Sequence, residues 1–162
     1  MKIRTLFATL CAMALVAAGS LLLAAPSAQA LTAWACPTLG NVMNGTSGDD
    51  VIVGTSGTDI IDGKGGNDII LGMEGTDIIK GGAGEDWLYG QWGADCIWGD
   101  TGDDHIYGGS ESDALFGENG DDYLDGWDGA NLLDGGNNLD TCIGDDYYTS
   151  TFVSCDVAYK KY

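Results

Sequence analysis

Basic residues are scarce in this chain: six lysines and arginines stand against 25 aspartates and glutamates in 162 residues. That balance argues against nucleic acid or an anionic membrane as a partner, because both attract positive charge. Histidine occurs once, at His105, which leaves zinc or copper short of their usual imidazole ligands. No stretch keeps an apolar period of 3.6 residues, and glycine recurs every few positions, costing about 1 kcal/mol each inside a helix. Amphipathic helices are thereby excluded. Long apolar runs are missing too, apart from one between Leu6 and Ala25.

That run reads as the centre of an export leader over residues 1–30. Lys2 and Arg4 precede it, and Ala28-Gln29-Ala30 follows as a small-residue cleavage site. The competing reading is a retained anchor, since about 20 apolar residues can just span a bilayer. Cleavage leaves residues 31–162 as one elongated, secreted domain that does not span a membrane. In it Lys64, Lys80, Lys160 and Lys161 face all 25 acidic residues, a formal charge of about −21. Four cysteines remain, Cys36, Cys96, Cys142 and Cys155, an even number in an exported chain.

What the chain has in abundance is order. Eleven consecutive nine-residue units run from Gly45 to Ile143, and each opens with glycine. The fourth position is glycine in nine units, failing at Glu111 and Asn138. The sixth is aspartate in ten: Asp50, Asp59, Asp68, Asp77, Asp86, Asp95, Asp104, Asp113, Asp122 and Asp140, with Asn131 in the remaining unit. The eighth is Ile or Leu in ten, and Cys142 in the last. A disordered linker would scatter its glycines, whereas these occupy fixed columns.

Such a period predicts a repeat architecture. The first six residues of a unit suit a tight turn, with glycine where positive φ or close backbone approach is needed. The last three are β-branched or aromatic and suit a very short strand. Only the eighth position is uniformly aliphatic, so it faces inward, and the seventh and ninth point outward by alternation. Each unit reverses the chain once, and two units complete one coil. The expected fold is therefore all-β, a parallel β-roll whose strands stack about 4.8 Å apart. Residues 31–44 and 144–162 are expected to cap its open ends.

Coiling by two units brings aspartates 18 residues apart into register. Asp50, Asp68, Asp86, Asp104, Asp122 and Asp140 share one edge; Asp59, Asp77, Asp95 and Asp113, ending at Asn131, share the other. Carboxylates this close repel unless something neutralises them. Calcium fits best: it takes six to eight oxygens, tolerates irregular geometry and accepts carbonyl ligands, which glycine turns leave free. Magnesium demands a stricter octahedron and keeps its waters. With one buried aliphatic per unit, the core is thin against the entropy of ordering about 100 residues. Metal binding and folding are therefore expected to be one event.

These units resemble the RTX nonapeptide, G-G-x-G-x-D-x-U-x, over residues 45–143, and the resemblance implies a calcium-binding β-roll. It also implies that each ion lies between coils, held by glycine-loop carbonyls and by sixth-position aspartates of units n and n+2, such as Asp68/Asp86 or Asp77/Asp95. Second-position glycine survives only at Gly82, Gly109 and Gly136. With Glu111, Asn138 and Asn131 interrupting the later units, the strongest sites are expected in the first seven. Small secreted bacterial members of the family have an ending like Asp140-Thr141-Cys142…Ser154-Cys155-Asp156, which implies that Cys142 and Cys155 close a terminal cap. Cys36 then either pairs with Cys96 or both stay free. Three coils separate them, so a bond needs the leading segment to fold back along the outer face.

Outward positions in mid-array are rich in aromatics: Trp87, Tyr89, Trp92, Trp98, Tyr107, Phe116 and Tyr123, with His105 among them. They shield the strand faces or pack against the terminal segments; the alternatives are a cell-surface protein contact or stacking on a glycan, in a module that recognises polysaccharide or cell wall. An enzyme is not expected. Asp104, His105 and Ser110 resemble a nucleophile system only in composition, because Asp104 belongs to the acidic column. Residues 121–128 lack the third-position oxygen of an EF-hand, and the Asn44-Gly45-Thr46 sequon falls in a repeat turn.

Overall fold

The computed structural model describes residues 36–37, 39–145 and 150–161; the leader expected over residues 1–30 lies outside them. Among the described residues fourteen strands form two seven-stranded parallel sheets. One sheet takes the odd strands in order: β1 (Asn41–Asn44), β3 (Asp59–Gly65), β5 (Ile78–Ala83), β7 (Cys96–Thr101), β9 (Ala114–Asn119), β11 (Leu132–Asn137) and β13 (Thr151–Val153). The other takes the even strands: β2 (Val51–Val53), β4 (Ile69–Glu74), β6 (Trp87–Trp92), β8 (His105–Ser110), β10 (Tyr123–Trp127), β12 (Thr141–Asp145) and β14 (Val157–Lys161). Successive strands alternate between sheets, so each nine-residue unit does reverse the chain once. The parallel β-roll expected from the period is what the chain forms.

Register follows the repeat. Ile60 pairs with Ile78 and Ile79 with Ile97 in one sheet, and Ile70 with Leu88 and Leu88 with Ile106 in the other, all 18 residues in step. Both ladders run past the array: β1 pairs with β3 at its start, and β13 and β14 extend the sheets at its end. The final coil breaks step, pairing Leu133 with Phe152 and Cys142 with Ala158, because the chain there no longer keeps the period.

Strands are longer than the three residues expected. In β4 to β9 each covers six residues, running through the first-position glycine to the third position. The ladder survives the corner because the second position takes positive φ, as at Met73 (85°), Gln91 (79°) and Trp127 (54°). Fourth-position glycines from Gly66 onward do the same, and Glu111 (82°) and Asn138 (79°) adopt the glycine conformation in its place. Both turns therefore persist despite the missing glycines, at the modest cost of a side chain in the left-handed region.

Eighth-position residues form the core as expected. Ile61, Ile70, Ile79, Leu88, Ile97, Ile106, Leu115, Leu124, Leu133 and Cys142 are fully buried in one continuous cluster between the sheets. Seventh and ninth positions face out, with three exceptions: Asp125 in the even sheet, and Cys96 and Ala114, neighbours in the odd sheet, are buried. Cys96 is bonded to Cys36, Cα to Cα 5.7 Å, so the leading segment does fold back over that face. Cys142 and Cys155 are bonded as well, at 6.0 Å, and tie the last coil to the segment beyond it.

Candidate metal centre

Each sixth-position aspartate sits where a turn enters a strand. Asp50, Asp68, Asp86, Asp104, Asp122 and Asp140 immediately precede or approach the even strands, and Asp59, Asp77, Asp95 and Asp113 the odd ones. All but Asp50 are buried. Burying so many carboxylates with four lysines between residues 31 and 162 demands compensation from elsewhere.

Half of each carboxylate is accounted for. The Asp68 N–H donates to Asp86 Oδ1 at 2.8 Å, and the link recurs from Asp50 to Asp68, Asp59 to Asp77, Asp77 to Asp95 and Asp86 to Asp104 at the same distance. It continues from Asp95 to Asp113, Asp104 to Asp122 and Asp122 to Asp140 at 2.9–3.0 Å. The expected n/n+2 partners are thus joined directly, backbone to side chain. The other oxygen is not satisfied. Oδ2 of Asp68, Asp77, Asp86, Asp95, Asp104, Asp113, Asp122 and Asp140 is buried without a hydrogen-bond partner.

Those orphaned oxygens lie against main-chain carbonyls. A Cβ added to Gly63 would run into both Asp68 Oδ2 and the carbonyl oxygen of Gly81, the first residue two units on. Gly72, Gly90 and Gly117 stand in the same relation to Asp77 and Gly90, Asp95 and Gly108, and Asp122 and Gly135. First-position glycine is therefore required by a crowded pocket of acceptors, not by its φ. Asn131 shows what such a pocket wants. Its Oδ1 accepts from the Asp113 N–H at 2.8 Å, as the aspartates do, while its Nδ2 donates to the Gly126 carbonyl at 2.8 Å. Where the amide supplies a donor, the aspartates supply one more acceptor. A cation satisfies that arrangement.

Without one, burial pushes these carboxyls up, and neighbouring carboxylates add to the effect although the backbone N–H opposes it. Asp77 and Asp86 rise to about 6, Asp95 and Asp122 to about 7, Asp104 to about 8 and Asp113 to about 9. Asp68 and Asp140 shift the same way. Among the described residues no three His, Cys, Asp or Glu side chains converge as a metal centre. An ion here would need main-chain oxygens besides its carboxylates, which suits calcium.

The column is not uniform. Orphaned oxygens continue to Asp140, past Glu111 and Asn138. At the opposite end, Asp50 Oδ2 accepts from the Thr46 N–H at 2.6 Å and its hydroxyl at 2.9 Å, and Asp59 Oδ2 accepts from the Thr55 N–H at 2.6 Å. Threonine at the second position is the signal for this, visible in the sequence but read only as a lost glycine.

Two parallel sheets joined by glycine turns, with half-satisfied carboxylates at eight of the corners, define a β-roll built from nonapeptide repeats. A family model for the RTX calcium-binding nonapeptide repeat (4 copies) matches residues 39–70, 71–106 and 107–142, and the chain belongs to that family. RTX nonapeptide repeats bind calcium. No curated protein and no solved structure matches the chain.

Proposed function

We propose that the protein is a secreted, non-enzymatic β-roll whose folding is coupled to calcium. Asp50, Asp59, Asp68, Asp77, Asp86, Asp95, Asp104, Asp113, Asp122 and Asp140 supply the negative charge, and the glycine-turn carbonyls supply further oxygens. The observation that carries this is the run of eight buried Oδ2 atoms with no donor. When bound, calcium would supply the missing positive charge. The chain's own residues do the rest: the Oδ1 atoms fix coil-to-coil register, the first-position glycines leave the space open, and the eighth-position aliphatics exclude water. Low calcium inside a cell and plentiful calcium outside would then delay folding until after export. Disulfides at Cys36–Cys96 and Cys142–Cys155 suit an oxidising exterior. Among the described residues no helix is long and apolar enough to cross a membrane. Within this reading residues 31–44 and 144–162 close the ends of the roll. Calcium titration of the metal-free chain, followed by circular dichroism and calorimetry, tests it; no heat and no gain of β-structure would count against it.

A second reading, recognition of an extracellular polysaccharide or cell-surface protein, is favoured by the outer face of the even sheet. Trp87 stacks on His105 with centroids 4.1 Å apart, and Tyr89 on Tyr107 at 4.9 Å. On the odd sheet Trp98 stacks on Phe116 at 5.2 Å. These rings shield each other, yet Trp92 and Trp127 remain 58% and 55% exposed.

A further inference from the structure

We propose that a groove between Trp92 and Trp127, on the outer face of the even sheet, binds a neutral polysaccharide chain; this rests on the second reading above and gives it a place. Trp92 ends β6 and Trp127 ends β10, with β8 between them. Register sets Trp92 beside Ser110, and both Gln91 and Trp127 beside Gly109. Two strand spacings separate the indoles' backbones, roughly 10 Å. Both indoles line a single groove. Gly108, Gly109 and Ser110 and the stacked Tyr89 and Tyr107 line it as well, and the groove encloses about 490 Å³.

The lining matches a pyranose. Its walls are aromatic and its polar groups few, namely Gln91, Ser110 and Asp128, as suits a ring with apolar C–H faces and hydroxyls at its edge. Charge narrows the class. No lysine lines the groove, Asp128 does, and Glu74 and Glu111 border the hollow on the other side of Trp92. A uronate, sulfate or phosphate on the sugar would meet only like charge. The groove is also small, about 490 Å³, unlike the broad patch of about 800 Å² per partner that a stable protein contact uses.

Trp127 holds φ at 54°, as Lys64, Met73, Gln91, Asp100 and Glu118 hold positive φ at the same position of other units, while Gly82, Gly109 and Gly136 fill it elsewhere. Glycine is the residue this backbone conformation favours. Trp127→Gly consequently removes the ring while relieving the backbone.

The test uses the full secreted chain in calcium, with calorimetric titration of hexasaccharides of β-1,4-glucose, β-1,4-N-acetylglucosamine and β-1,4-mannose, and with polygalacturonate as the anionic control. At least one neutral hexasaccharide is expected to bind, and Trp92→Ala and Trp127→Gly are each expected to weaken it about tenfold. Calcium-induced circular dichroism should be unchanged in both variants. Binding that survives both substitutions, or polygalacturonate binding as tightly, overturns the groove. Should binding to insoluble cell wall be lost in Trp87→Ala but kept in the groove variants, recognition stands and the groove does not. Absence of binding to every saccharide and to cell wall removes both.

Discussion

Removing calcium at two pH values gives the sharpest test of the acidic columns. Asp77 has a carboxyl pKa of about 6 in the metal-free roll against an ordinary 3.8. One pKa unit corresponds to about 1.4 kcal/mol, so keeping this single carboxylate ionised costs the fold about 3 kcal/mol. Asp86 rises as far, and Asp95, Asp104, Asp113 and Asp122 rise further. Several such terms together exceed the whole stability of an ordinary domain, about 5–15 kcal/mol. The sign follows from the raised values. The folded state holds protons that the unfolded state has released, so this contribution is complete below about pH 4 and is lost as pH rises through 6 to 9. A chelated sample at pH 8 should lose its β-sheet circular dichroism, regain much of it on acidification toward pH 5, and regain all of it at pH 8 with calcium. Calcium binding near pH 5, where the metal-free roll is folded and protonated, should also release protons, which calorimetry in buffers of different ionisation enthalpy would detect. A chelated roll equally folded at pH 5 and pH 8 would refute the reasoning.

Other expectations concern single residues. Gly99→Ala places a Cβ into the Asp104 carboxylate and close to the Gly117 carbonyl, and should cost at least about 3 kcal/mol or prevent folding, read from denaturant titration in calcium. Asn131→Asp replaces the amide that donates to Gly126 with an acceptor; it should lower stability without calcium and raise the ion count in native mass spectrometry by one. Replacing Cys142 and Cys155 together by alanine should cost about 3 kcal/mol through the closed loop, seen as a lower denaturation midpoint. Thr46→Val should remove a hydroxyl donor to Asp50 while leaving the circular dichroism of the calcium-loaded roll intact.

Much of this was legible because periodicity carries long-range information. A nine-residue unit with one inward aliphatic fixes both the reversal per unit and the 18-residue step, so Ile70 beside Leu88 and Asp68 beside Asp86 could be placed from the sequence alone. Strand length could not, because it depends on whether residues such as Met73 and Gln91 accept positive φ, which their identity does not announce. Cys36–Cys96 also depended on a route taken by a non-repetitive segment. The threonine donors at Thr46 and Thr55 were hidden for a different reason: a column read for what it lacked, glycine, was not read for what it gained. Stacking of Trp87 on His105 needed actual side-chain rotamers.

The bond between Cys36 and Cys96 has a mechanical consequence. Tension applied across the roll from residue 36 to its far end would pass straight from residue 36 into residue 96, leaving the 59 intervening residues slack. Strands β1 to β6 lie inside that bypass and cannot be peeled off by pulling while the sulfurs stay joined. Any extension under load must come from the coils after Cys96, until a reductant cuts the shortcut.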